Sequence, residues 1–152
     1  MRKIVYCVAL MLVAMLLSPI SGLGEDAKTR FKIDSHYHFG GDPDFIKKTV
    51  EVYRRYNTMV CVLTPMRSLE TVVGAAKRHP ETIIPYGSVD PDDPQALERI
   101  DKFHQAGFKG IGELSTPARD YNDAVYFPIY ERIQRYRMHV LFHTGVVARG
   151  NP

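Results

Sequence analysis

Short apolar runs and longer amphipathic stretches alternate along this chain at a period of roughly 25 to 30 residues, the length of one strand–helix unit. That rhythm constrains the fold more than any other feature. Phe31 to His38 reads as a first strand, and Asp44 to Tyr56 as a helix in which Phe45, Ile46, Thr49, Val50, Val52 and Tyr53 recur near helical spacing. Met59 to Leu63 is a second strand, stopped by Thr64-Pro65. Ser68 to His79 reads as a helix with Ser68 as its N-cap and Pro80 beyond its end. Ile83 to Val89 is a third strand, followed by the turn-rich Asp90-Pro91-Asp92-Asp93-Pro94. A helix over Gln95 to Ala106 carries an apolar stripe of Leu97, Ile100 and Phe103, and Phe108 to Leu114 is a glycine-containing fourth strand. Asp123 to Arg137 predicts a helix with Pro128 in its first turn, and His139 to Thr144 a fifth strand closed by Gly145. Strict alternation of strands and helices argues for an α/β fold with a parallel sheet and right-handed crossovers. It does not choose between a barrel and an open sheet. No Gly-x-Gly-x-x-Gly follows the first strand and no Gly-Lys-Ser/Thr loop is present, so the two commonest open-sheet nucleotide sites lack support.

Ahead of this series, Arg2 and Lys3 precede an apolar run from Ile4 to Leu17 and the segment Ser18-Pro19-Ile20-Ser21-Gly22-Leu23-Gly24. Charge, apolar core and small residues in that order predict a secretory signal peptide over residues 1–24, cleaved after Gly24, with export to the periplasm or the exterior, an uncleaved anchor being the alternative. The run is shorter than the roughly 18 apolar residues of a membrane span, so no stable span is expected. Cleavage would lower the formal charge from +3 to about +1. With no lysine or arginine block in what remains, nucleic acid is not an expected partner. Cys7 departs with the signal and leaves Cys61 alone in an apolar run, so packing or metal, not a disulfide, must hold the rest. Residues 25–152 then form one domain, about half the roughly 250 residues of a closed (β/α)8 barrel.

Chemistry collects at the strand ends. In Asp34-Ser35-His36-Tyr37-His38 the two histidines stand at i and i+2, so on a strand both project from one face, and Gly40-Gly41-Asp42-Pro43 ends the strand beside them. Counting by two puts Asp34 on that same face one layer deeper, where it could orient a ligating histidine through a hydrogen bond. The same counting places Ile111 and Glu113 on one face of the fourth strand, and His139, Leu141 and His143 on one face of the fifth. In a parallel fold the carboxyl ends meet on one side, so His36, His38, Glu113 and His143 converge on one mouth. Imidazoles with a carboxylate suit Zn2+ or a similar divalent ion, with a position left for water. His79, His104 and His139 read as helix-end, helical and strand-start residues away from that mouth. The charges of Tyr53 to Tyr56 and Arg132 to Arg137 read as solvated helix faces. Arg119, Asp120 and Tyr121, in the loop after the fourth strand, fit substrate contacts and a plain surface loop equally well.

Asp34-Ser35-His36-Tyr37-His38-Phe39-Gly40 resembles the first-strand signature of the amidohydrolase superfamily, and Val140-Leu141-Phe142-His143-Thr144-Gly145 resembles its fifth-strand histidine. Gly107 to Leu114 is similar to the fourth strand of the amidohydrolase-related branch, which holds metal-dependent hydrolases and some decarboxylases. The resemblance implies a (β/α)8 TIM barrel, present here in part as about five strands and four helices, with one or two divalent ions at its mouth. It implies that His36, His38 and His143 are ligands, and Glu113 in those branches that use a fourth-strand carboxylate. The implied reaction is hydrolysis of an amide, ester, lactone or related small molecule by metal-activated water. A TatD-like nuclease, a decarboxylase on the same scaffold and a non-catalytic metal- or partner-binding half barrel are the alternatives. The family's eighth-strand aspartate has no counterpart in this sequence. The expectation is therefore part of a longer reading frame, which alone binds metal weakly and turns over little, with self-association or a partner chain covering its open strand edges.

Overall fold

The computed structural model describes residues 30–114 and 118–143. The expected signal segment, Thr144 and Gly145 lie outside the described residues. Five strands and four helices alternate: β1 (Lys32–His38), α1 (Phe45–Arg55), β2 (Thr58–Thr64), α2 (Leu69–Arg78), β3 (Ile83–Gly87), α3 (Ala96–Ala106), β4 (Gly110–Leu114), α4 (Phe127–Arg135) and β5 (His139–Phe142). Every strand pair is parallel, and the strands lie in the order β1-β2-β3-β4-β5. A doubly wound open sheet reverses its strand order partway, whereas a barrel adds each strand beside the last. The sheet is therefore part of an α/β barrel, and the ambiguity left by the sequence rhythm is resolved. Among the described residues no helix is long and apolar enough to cross a membrane.

Each helix forms because its apolar residues fall on one stripe that the sheet can cover. α1 buries Phe45, Thr49 and Val50, with Arg54 and Arg55 in its last turn where cations favour the helix dipole. Asn57, at φ 48°, then turns the chain into β2. α2 starts at Leu69, directly after Ser68 as its sequence suggests, but without the expected cap. Met66–Ser68 forms a 3-10 turn, and Ser68 makes no side-chain cap. Before α4, by contrast, the Asp123 carboxylate accepts from the Val125 N–H and opens a 3-10 turn over Ala124–Tyr126, and Pro128 sits in the helix's first turn as expected.

Two apolar clusters lie between sheet and helices. One joins Phe45, Val50, Val60, Val62, Val72 and Ile83, and the other is built around Ile100, Phe103, Ile111, Leu114, Tyr126 and Ile133. Side chains of this size contribute about 1.5–3 kcal/mol each when fully buried. Cys61, Leu63 and Tyr86, with Ile84 and Leu141 against them, form a third cluster on the opposite, concave face. Gly110 makes room for it, since a Cβ there would lie 2.3 Å from the Tyr86 ring.

Candidate metal centre

The concave face carries the site, and two interruptions of the strand pleat decide which side chains reach it. β1 pairs with β2 as Asp34 with Val60 and then Tyr37 with Val62, so three steps on one strand match two on the other. The extra residue is a bulge, which reverses the facing of everything beyond it. Asp34 and Tyr37 consequently share the helix side. The Tyr53 hydroxyl of α1 donates to Asp34 Oδ2 at 2.5 Å, and the Tyr37 ring lies 5.2 Å from that of Phe45. His36 and His38 project to the concave face, their Nε2 atoms 3.0 Å apart. The expected common face for Asp34 and the histidines is thus overturned. Asp34 holds the main chain of the site instead, accepting from the His36 backbone N–H at 3.0 Å.

β4 repeats the device. Ile111 pairs with Val140 and Leu114 with Phe142, again three steps against two. Ile111 and Leu114 are both fully buried in the helix-side core. Glu113 therefore faces the opposite way from Ile111, contrary to the period-two count, and reaches the histidines. Gly112 permits the close approach of β5 at this point, because a Cβ would stand 2.6 Å from Leu141 Cβ and 2.9 Å from its carbonyl oxygen. On β5 the count by two holds: His139 bonds Tyr86 on the concave face, Leu141 packs in the same cluster, and His143 follows at the strand end.

Glu113 is the centre of the arrangement. Its Oε2 lies 3.3 Å from His36 Nε2 and 3.4 Å from His38 Nε2, and its Oε1 contacts His143 Nδ1. The Glu113 side chain is 9% exposed, against 43% for His36 and 65% for His38. A carboxylate buried to that degree must be paired or bind a cation. His36, His38 and Glu113 each offer a ligand atom within 4.8 Å of the others. Two donors about 2.0–2.1 Å from a tetrahedrally bound ion stand about 3.3 Å apart. The observed edges of 3.0, 3.3 and 3.4 Å match that triangle. Three lone pairs so placed repel one another unless a proton or a cation lies among them, and the donor set fits a divalent ion. His143 comes to the carboxylate's second oxygen rather than into the triangle.

The surrounding residues support this geometry. The Tyr121 hydroxyl donates to the Leu114 carbonyl at 2.5 Å, with the His143 carbonyl at 3.3 Å, clamping β4 to β5 just beyond the site. This clamp is neither of the two roles its loop left open, and its sequence gives no sign of it. Burial, followed by the hydrogen bond to Asp34, pushes the Tyr53 phenol well above its ordinary range. Burial likewise raises the Cys61 thiol, which lies in the concave cluster and is not an activated nucleophile. His79 caps the end of α2 and His104 stacks on Tyr136 with ring centroids 3.8 Å apart, while His139 lies at the amino end of β5. None of these three is at the mouth, as expected.

The amidohydrolase family model matches residues 33–152, a span that contains all four candidate ligand positions. No curated protein matches the chain.

Proposed function

From membership of the amidohydrolase family, to which this chain belongs, we propose that its mouth residues serve a metal-dependent hydrolase acting on an amide, ester, lactone or similar small molecule. The observation that carries the proposal is the His36–His38–Glu113 triangle at the carboxyl ends of β1 and β4. A divalent cation, with zinc favoured by a nitrogen-rich donor set, supplies Lewis acidity that activates water near neutral pH and polarises the scissile carbonyl. His36 and His38 hold it from one strand with neutral Nε2 lone pairs. Glu113 supplies the negative charge through Oε2. His143, on Oε1, sets the orientation of that carboxylate and is the candidate fourth ligand, or a ligand to a second ion. Asp34 fixes the main chain between the two bulge-flanking residues, and so fixes the direction in which His36 points.

Under this proposal residues 1–24 direct export. A substrate panel of esters, lactones and amides tests the reaction. Hydrolysis that a chelator removes and zinc restores supports the proposal, and hydrolysis indifferent to chelation contradicts it. Release of nucleotides from DNA in preference to every member of the panel would favour the nuclease alternative.

A further inference from the structure

We infer that the pocket beside Glu113 is a carboxylate-recognition subsite, so that the substrate is a small organic acid carrying its scissile bond near a free carboxylate. The inference rests on the hydrolase reading above, which supplies the divalent ion that its charge balance counts. The pocket has a volume of about 360 Å³ and is lined by Arg67, Ser88, Asp90, Arg99 and Glu113 among others. It opens at the carboxyl ends of the strands, where βα loops meet substrates. Arg67 lies in the 3-10 turn directly after β2, Ser88 and Asp90 in the loop after β3, and Arg99 on α3. Two successive strand–helix units thus deliver polar groups to the space adjoining the buried carboxylate.

Charge decides what such a space accepts. Arg99 Nε lies 2.8 Å from Asp93 Oδ2, yet this buried N–H is not aimed for a hydrogen bond. Asp93 balances the charge of Arg99 without satisfying that donor. Asp90 is engaged locally, accepting from the Asp92 N–H at 2.9 Å. Arg67 is exposed at the rim and its guanidinium is uncommitted among the described contacts. With a divalent ion in the triangle, the ion, Arg67 and Arg99 outweigh Glu113, Asp90 and Asp93 by one positive charge. That balance suits one carboxylate, which a planar guanidinium engages through two parallel hydrogen bonds. A phosphate dianion would leave an excess of negative charge beside Asp90.

The test titrates the zinc-reconstituted chain with sodium benzoate and, separately, with benzamide as its neutral counterpart, following binding by ligand-observed NMR. The same titrations are run on Arg67→Met and Arg67→Lys, and the zinc content of every sample is measured by mass spectrometry. Benzoate should bind at least about tenfold more tightly than benzamide. Arg67→Met should remove about that factor and Arg67→Lys recover only part of it, since an ammonium keeps the charge without the paired hydrogen bonds, with zinc content unchanged. Absence of benzoate binding, equal binding of the two probes, or a preference that Arg67→Met leaves intact overturns the subsite while the hydrolase reading stands. Failure to take up zinc overturns the hydrolase reading and the subsite together, because without the ion the same side chains sum to one negative charge.

Discussion

Asp34 and Tyr86 show how single residues set the behaviour of this protein. Asp34 joins α1, through Tyr53, to the main chain of His36, so a side chain on the helix side positions a candidate ligand on the concave side. Tyr86 lies on the concave face with its hydroxyl 2.9 Å from His139 Nδ1. Burial, with Cys61 beside it, pushes its phenol up to about 12. A raised folded-state value means that the native state keeps its proton where the unfolded chain has lost it. The associated stability is complete below about pH 10 and is lost as pH rises toward 12, and Tyr53 acts in the same direction. Urea unfolding at pH 9 and pH 11.5 should show a fall on the order of 2 kcal/mol, smaller in Tyr86→Phe. An unfolding free energy that is flat over this interval would contradict the assignment.

At the scale of elements, the strands and helices were legible in the sequence because each has one buried stripe, and their order β1 to β5 follows the chain. The histidine pair was legible too, since His36 and His38 lie beyond the bulge and keep the i, i+2 relation between themselves. What period-two counting could not see is a break in the pleat. It placed Asp34 with the histidines and Ile111 with Glu113, and both pairings fail at a bulge. No residue type marks the bulge in β1. In β4 the marker is Gly112, whose missing side chain admits Leu141. Gly112→Ala should therefore cost about 1–3 kcal/mol by forcing β4 from β5, and should weaken metal binding by displacing Glu113. Chemical denaturation and a zinc titration of the variant measure the two effects. A variant of unchanged stability would show that β5 moves aside freely.

For the whole molecule, β1 and β5 are the outer strands of the sheet among the described residues. Ile33, on β1, is 55% exposed and Phe31, just before the strand, 57%. Such an outer strand favours pairing with another strand. Sedimentation velocity should show association that grows with concentration and is reduced by Ile33→Lys, whereas a concentration-independent monomer would show the edge to be protected. The same sheet joins the amidohydrolase match to the chemistry, because only a curled parallel sheet brings the ends of β1, β4 and β5 to one mouth. The most direct test is calorimetric titration of the chain with zinc, alongside His36→Ala. The account predicts saturable binding of the ion that His36→Ala weakens by more than the roughly 10- to 100-fold typical of removing a group that merely supports a ligand. Absence of binding, or equal binding by both proteins, would contradict it.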